Sequence, residues 1–288
     1  AGEAVCTLDA DKTNGRELAS LMIGRELSDS NYKKIVSDQE PVIELINVDY
    51  NKSSKHNGLN GISLKVRRGE IVGIAGVDGN GQSQLAQIVT GVISAESGEV
   101  VLKGCKVSRF TSADFIAQNV SHIPADRNRM GLVGDMTVEE NLLLKSTQKC
   151  EFCDAGGWRL KKKAMNAYTD EMRAKYDIRC QSNEQEIRSL SGGNQQKVIL
   201  ARELEAHPDL LVAVHPTRGL DIGATRYVRD AMVAARDKGC AVLLISADFD
   251  EVLQLSDRIV VMFEGKIMGE YSGENPPIQS ISYAMTGK

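Results

Sequence analysis

The chain has 288 residues, an apolar fraction of 42% and a formal net charge of −4, so it is long enough for one large domain or two small ones. The mild negative charge argues against a dedicated nucleic-acid-binding protein, although it leaves a local basic patch open. The sequence has no apolar run long enough to span a bilayer and no basic-then-apolar start typical of a signal peptide. We therefore expect a soluble, cytosolic protein whose six cysteines are ordinary reduced thiols.

The two ends of the chain resemble each other. Residues 2–25 and 265–288 align without a gap, and each copy predicts a short strand, a polar turn and an amphipathic helix ending at a glycine. Chance similarity between two strand–helix units is one explanation. Because the register holds throughout, we favour another, in which residues 1–25 are the tail of a preceding homologous domain. The polar stretch 26–40 is then a linker, 41–288 is the domain proper, and this chain is the second half of a tandem duplication. The matched pairs include Gly2 with Gly265, Leu18 with Ile281, Met22 with Met285 and Gly24 with Gly287.

A strand prediction over part of this domain rests on hydrophobic alternation. It covers Val42–Val48 and Ile62–Val66, each expected to be half-buried. A further, edge-type strand is predicted over Gly98–Gly104.

A glycine-rich turn between a predicted strand and a predicted helix is the central motif. The apolar run Ile71–Ala75 predicts a buried strand, and Leu85–Val89 predicts the start of a helix. This is the setting of a phosphate-binding loop, in which glycines let backbone N–H groups approach an anion at the positive end of a helix. The usual pattern ends in Gly-Lys-Ser/Thr, whereas this one has glutamine in place of the lysine. The predicted nucleotide-binding residues of the loop are Gly76, Gly79, Asn80, Gly81, Gln82 and Ser83.

The second half of the domain predicts a parallel sheet. A mostly helical region spans roughly 135–205, and two near-continuous apolar strands follow, Leu210–Val214 and Ala241–Ser246. The helix predicted between them, from about Ala224 to Arg236, makes this a right-handed βαβ unit. The predicted fold class is therefore α/β, a nucleotide-binding domain with an inserted helical subdomain.

A second motif, Leu190-Ser191-Gly192-Gly193-Asn194-Gln195-Gln196-Lys197, opens a helix within the helical region. Ser191 is a natural N-cap, and the two glycines leave backbone N–H groups uncovered beside it. Taken alone, this stretch could simply be a capped helix. Its position after a phosphate loop and before an apolar strand favours a second anion site.

This order of motifs resembles the ATP-binding domains of ABC transporters, whose signature is Leu-Ser-Gly-Gly-x-Gln. The resemblance covers essentially the whole chain, and it implies an ABC-type P-loop NTPase fold with an N-terminal antiparallel β-subdomain. It extends over Ala201–Leu204, Pro208–Leu211, Pro216–Asp221 and Leu255–Ile259. Three segments are similar to importers of simple sugars and nucleosides, in which two ATP-binding halves are fused in one polypeptide: Gly131–Val133, Val138–Leu142 and Pro216–Asp221.

The resemblance also identifies altered catalytic positions. In this family, hydrolysis depends on a lysine, carboxylates, a glutamine and a histidine that position ATP, magnesium and water. Ser83 keeps a hydroxyl that could hold magnesium, and the imidazole of His215 is a candidate base because it titrates near neutral pH. Each replacement alone could be a tolerated variant, but together they predict weak or magnesium-independent ATP binding and no hydrolysis at this site. The altered positions are Gln82, Ala125, Val214, His215 and Ala247.

The positions that act across the family's head-to-tail dimer are intact. They imply that this half completes the ATP and magnesium site of the first half, and they are Ser191, Gly192, Gly193, Gln195 and the D-loop residue Asp221. Tyr50 lies near the position of an adenine-stacking aromatic, with a core tyrosine at a strand end as an equal alternative. Arg127–Gly131 lies where the family contacts its membrane subunits, although basic loops are often only solvated.

The function implied by the resemblance is the second nucleotide-binding half of an importer ATPase for a simple sugar or nucleoside. Such a subunit lies on the cytoplasmic face of the cell membrane under two permease subunits. It acts indirectly with an extracytoplasmic substrate-binding protein and binds no nucleic acid. Two rivals remain: a non-hydrolysing nucleotide-binding or regulatory module, and a soluble ABC ATPase unrelated to transport. The mild charge and the importer-like segment Pro216–Asp221 count against the last.

Overall fold

The computed structural model describes residues 38–51, 58–107, 111–146, 151–154 and 159–288, together with Cys6 and Tyr32. The domain tail proposed for 1–25 and the linker proposed for 26–40 lie almost entirely outside these residues. Both therefore stay sequence predictions. Within the described ranges, no helix is long and apolar enough to cross a membrane.

Ten strands and eight α-helices lie in the described ranges. The strands are β1 (Pro41–Tyr50), β2 (Leu59–Arg67), β3 (Ile71–Ala75), β4 (Ser97–Leu102), β5 (Cys105–Lys106), β6 (Val120–Ile123), β7 (Leu210–Val214), β8 (Ala241–Ile245), β9 (Arg258–Phe263) and β10 (Lys266–Ser272). The helices are α1 (Gln82–Val89), α2 (Ser112–Ala117), α3 (Val138–Leu143), α4 (Lys162–Lys175), α5 (Gly192–Leu204), α6 (Ile222–Asp237), α7 (Phe249–Leu255) and α8 (Ile278–Ala284).

A six-stranded sheet forms the centre of the domain, in the order β10-β9-β3-β8-β7-β6. All neighbouring pairs are parallel except β9 and β10. Every residue of β3, β7 and β8 is buried, as expected for parallel strands covered on both faces. The predicted βαβ unit is β7–α6–β8, and its helix starts two residues earlier than the sequence indicated, at Ile222.

The N-terminal part forms a separate antiparallel sheet in the order β2-β1-β4-β5. The sequence predicted an edge strand over Gly98–Gly104, and that prediction is wrong in one respect. Strand β4 lies between β1 and β5, because Val100 and Leu102 are buried in the core while the two-residue β5 occupies the edge. The antiparallel subdomain and the α/β core implied by the family resemblance are both confirmed.

Alternate residues of the parallel strands point into two different cores. Val212, Val214, Leu243 and Ile245 pack with α1 and the antiparallel sheet. Their sequence neighbours Leu211, Ala213, Val242 and Leu244 pack on the other face against α5 and α6. This period of two is the ordinary consequence of strand geometry. It places the helix carrying the second motif directly against the sheet that carries the phosphate loop.

Helices α3, α4 and α5 fall within the region predicted to be helical. Asn141 is fully buried in α3 and binds the preceding loop through its amide. Its Oδ1 accepts from Val133 N at 2.9 Å, and its Nδ2 donates to the carbonyls of Val133, Met136 and Thr137 at 3.0–3.3 Å. One buried side chain therefore fixes the turn that enters the helical region.

Candidate functional site

The phosphate loop has the backbone geometry that its glycines predict. Gly79 and Gly81 have φ values of 93° and 98°, a region that side-chain-bearing residues avoid. At Gly81 a Cβ would lie 2.6 Å from the Gly58 carbonyl oxygen, so only glycine lets the loop close on the start of β2. Helix α1 begins directly after Gly81 with no side-chain cap. Ser83, in its first turn, is exposed.

Gln82 folds back into the loop that it follows. Its Nε2 donates to the Val77 carbonyl at 2.9 Å, and its Oε1 accepts from the Asn80 N–H at 2.9 Å. We call this pair of hydrogen bonds the Gln82 bridge. The side chain is only 7% exposed, and the bridge occupies a backbone donor that would otherwise be free to bind a phosphate oxygen.

Asn80 ties the loop to the hairpin between β9 and β10, a contact that sequence reasoning missed. Its Oδ1 accepts from Glu264 N at 2.9 Å, and its carbonyl accepts from Gly265 N at 3.1 Å. The partners lie far apart in sequence, so no local pattern signals this contact. The loop is therefore anchored at Asn80 as well as at the Gln82 bridge.

His215 lies beside the phosphate loop, at the carboxyl end of β7. Its φ of 46° is left-handed, an uncommon conformation for a residue with a side chain. The imidazole Nδ1 accepts from Ala247 N at 3.1 Å, and Nε2 lies 3.7 Å from Asp78 Oδ1 in the loop. Burial lowers the pKa of His215; the Asp78 carboxylate opposes this effect and Arg218 adds to it.

These contacts fix the tautomer of His215. A neutral imidazole has one donor and one acceptor nitrogen. Since Nδ1 accepts a hydrogen bond, Nε2 carries the proton and faces Asp78. The ring therefore has no free lone pair to abstract a proton from water, and the candidate base of the sequence analysis has no geometric support here.

The other altered positions cluster around the same sheet edge and carry no metal-binding atom. Val214 is buried at the end of β7, whereas Ala125 and Ala247 are exposed two residues beyond β6 and β8. Because these strands are parallel, their carboxyl ends meet at one edge. Within the described part of the chain, no group of three or more His, Cys, Asp or Glu side chains could hold a metal ion. Ser83 keeps an exposed hydroxyl in the first turn of α1, and its role as a possible magnesium ligand stays a prediction.

Tyr50 ends β1 opposite Leu59 and is half-buried against the first core. This packing agrees with the core-tyrosine alternative, and the adenine-stacking role stays a prediction. Gly76, at the start of the loop, is buried after β3.

The second motif presents its serine to solvent. Ser191 is exposed and is the N-cap of α5; its Oγ accepts from Asn194 N at 3.4 Å and from Asn194 Nδ2 at 3.0 Å. Asp221 is exposed at the N-cap of α6 and accepts from Ala224 N at 2.8 Å. A Cβ at Gly193 would lie 3.7 Å from Asp221 Oδ2. The two predicted trans-acting elements are therefore direct neighbours.

Gln195 differs from the rest of that motif because its side chain points inward. It is buried, its Nε2 donates to the Ile187 carbonyl at 3.2 Å, and its Oε1 accepts from Arg127 Nε at 3.3 Å. Arg127 thus belongs to this site, although the sequence placed it only in a segment for membrane-subunit contact.

Comparison with known proteins identifies the family and the fold. The family model described as "ABC transporter" matches residues 59–218, so the chain belongs to the ABC transporter family. The chain is similar to a nucleotide-free ATP-binding cassette from an ABC transporter, with a TM-score of 0.69 and 23% identity. That match covers 85% of this chain and 96% of the other, which establishes the fold.

Named relatives point to import systems. The chain is 40% identical over 289 residues to the guanosine import ATP-binding protein NupO of Bacillus subtilis (strain 168), covering 99% of this chain and 56% of that protein. It is also 40% identical to the nucleoside import ATP-binding protein NupA of Lactococcus lactis subsp. cremoris (strain MG1363), with 99% and 56% coverage. A ribose import ATP-binding protein, RbsA of Bacillus cereus, is 32% identical, again with 99% and 56% coverage. The chain thus spans about half the length of these curated relatives.

Proposed function

We propose that this chain is the second nucleotide-binding half of an ABC importer ATPase for a nucleoside or simple sugar. Three observations support the proposal. The relatives are named for nucleoside and ribose import. The chain matches about half of each relative. Its two ends repeat each other in register, as expected if a homologous domain precedes it.

The Gln82 bridge is the observation that best supports different roles for the two halves in ATP hydrolysis. A loop whose own side chain holds the Asn80 N–H and carries no positive charge binds phosphate weakly. Since Val214 and Ala247 offer no ligand and His215 no free lone pair, the site in this half is non-hydrolytic. ATP at this loop, if bound, is held by backbone N–H groups without magnesium.

The second motif and Asp221 are equipped to act on a second domain. Ser191 and Asp221 are both exposed, and the backbone of Gly192 and Gly193 lies between them. We assign these residues to the ATP site of the first half, where that half supplies the phosphate loop and magnesium. ATP binding then closes the two halves, and closure drives the permease.

An exposed apolar groove supports a permease partner. Val92, Ile116 and Met130 are 51%, 42% and 58% exposed, and they line a cavity of about 160 Å³ beside the segment Arg127–Gly131. A neighbouring group of exposed apolar side chains around a cavity marks an interaction site more often than scattered ones do. We propose that a membrane-spanning permease docks here and holds the subunit on the cytoplasmic face of the membrane. A substrate-binding protein outside the cell would then act only through the permease.

Two experiments test the proposal. The purified chain should not hydrolyse Mg-ATP, and turnover at rates typical of transport ATPases would disprove the non-hydrolytic site. In the full-length protein, Ser191→Arg should abolish ATP hydrolysis by blocking the site of the first half. The matched control is Ser280→Arg, at an exposed serine of α8 away from the motif. Full activity in Ser191→Arg would disprove the trans role and favour a soluble or regulatory ABC protein.

A further inference from the structure

Arg127 connects three segments that sequence reasoning treated separately. Its Nη1 donates to the Arg218 carbonyl at 3.0 Å, and its Nε donates to Gln195 Oε1 at 3.3 Å. Its Nη2 lies against Gly192, since a Cβ added at this glycine would be 2.6 Å from the Nη2 atom. The guanidinium therefore contacts the start of α5 and the segment that leads to Asp221, while its backbone belongs to the turn after β6.

The position is electrostatically unfavourable for a structural arginine. The N-terminus of a helix carries a partial positive charge, so a guanidinium beside the first residue of α5 is disfavoured. Two neutral acceptors on different segments offset this cost, and only a rigid planar fork reaches both at once. The arrangement therefore holds α5 in a defined position relative to the segment Pro216–Asp221.

The turn that carries Arg127 is itself unusual. Residues Arg127–Gly131 form a single, isolated π-helical turn, closed by the Leu132 N–H, which donates to the Arg127 carbonyl at 2.8 Å. Arg202 donates to the Gly131 carbonyl at 2.8 Å, which fixes the far end of the turn. Between these two anchors, Met130 is 58% exposed in the proposed docking groove. A partner that presses on Met130 therefore moves backbone attached to Arg127.

We propose that Arg127 is a positioning residue that links permease contact at the π-helical turn to the placement of Gly192 and Asp221. It touches no nucleotide and acts through the backbone it holds. The inference rests on the proposed function, because it concerns the same trans site. A second link between α5 and the segment Pro216–Asp221 does not involve Arg127: Gln196 Nε2 donates to the Pro216 carbonyl at 2.8 Å. We therefore expect variants at Arg127 to fold.

The test uses the full-length ATPase assembled with its permease. Arg127→Ala should lower kcat for ATP at least about tenfold, because misplaced motif residues fail to complete the closed site. The dissociation constant for ATP in the open state should change by less than about twofold, since the first half alone holds ATP there. Arg127→Lys should not restore kcat, because a lysine keeps the charge but cannot bridge two acceptors. Arg68→Ala, at an exposed arginine in the turn before β3 and outside the proposed permease contact, is the control and should keep full activity.

Each outcome for these variants either supports the role proposed for Arg127 or overturns it. Wild-type kcat in either Arg127→Ala or Arg127→Lys overturns the proposal, and the lysine variant decides alone if the alanine variant fails to fold. An equal loss in Arg68→Ala also overturns it, because the effect then follows the removal of an arginine anywhere on the surface. Ser191→Arg is measured in parallel: if it retains turnover, the proposed function itself fails. If Ser191→Arg is inactive while Arg127→Ala is active, only the role of Arg127 is wrong.

Discussion

The replacement Gln82→Lys tests the central claim about the phosphate loop. The change restores the cation that the family pattern expects while leaving the altered strand-end positions unchanged. A hydrogen bond between neutral groups contributes about 1 kcal/mol, and one that involves a charged group contributes about 1.5–3 kcal/mol. The difference of about 0.5–2 kcal/mol corresponds to roughly 2–30-fold tighter nucleotide binding. Turnover should stay absent, because Val214 still offers no metal ligand and His215 still lacks a free lone pair.

Calorimetric titration of the purified chain with ADP and ATP, each with magnesium and with EDTA, measures the affinity. Phosphate release measures turnover. Gln82→Met is the matched control, since methionine has a similar length but makes neither bond of the Gln82 bridge. If Gln82→Met tightens binding as much as Gln82→Lys, opening of the loop rather than charge limits affinity. Hydrolysis by Gln82→Lys would refute the claim that the carboxyl ends of the strands are inactive.

Three further predictions concern stability, each measured by urea denaturation. Burial and the nearby Lys145 and Arg202 charges lower the pKa of His122 to about 4 against an opposing Glu203, from an ordinary value of 6.5. The unfolded state therefore binds a proton first, and stability falls by about 2 kcal/mol between about pH 7.5 and pH 5; His122→Asn should lose this part of the slope. Asn141→Leu should cost about 3 kcal/mol, because it leaves backbone groups of the Val133–Thr137 turn unpaired in a buried place. Arg236→Met should cost about 3–5 kcal/mol by leaving Asp257 charged and buried, 2.9 Å from the lost guanidinium. The control Arg226→Ala, in a more exposed ion pair with Asp230, should change stability by less than about 1 kcal/mol.

The sequence predicted most accurately those elements that depend on residues close together in the chain. The strand–loop–helix over 71–89 and the Ser191 cap of α5 follow from short patterns of glycine, serine and apolar residues, and both are found in the structure. Each of these patterns is carried by residues that are close together in the sequence. The parallel sheet likewise follows from continuous apolar runs, because only strands covered on both faces can be apolar throughout.

Features that join distant residues could not be predicted in this way. Arg127 and the Arg218 carbonyl are 91 positions apart, and Asn80 reaches Glu264 across 184. The tautomer of His215 depends on the Ala247 N–H, 32 positions away. Such contacts are set by how the sheet and helices pack, and a single chain carries no local signal of them.

The replacements at the phosphate loop are coupled through charge. The family pattern pairs a cationic loop with anionic groups at the strand ends, whereas this chain is neutral at both: Gln82 at the loop, Val214 and Ala247 at the strands, and an imidazole at His215 whose pKa is lowered by burial. A lysine restored alone faces no carboxylate at positions 214 and 247, and it also removes the Gln82 bridge. Gln82→Lys should therefore lower the free energy of unfolding of the nucleotide-free chain by about 1–2 kcal/mol. Saturating ADP should offset most of this loss, because tighter binding by about 0.5–2 kcal/mol stabilises the folded variant more than the wild type. If the nucleotide-free variant is more stable than the nucleotide-free wild type, the neutral replacements at the loop and at the strand ends do not compensate one another as proposed.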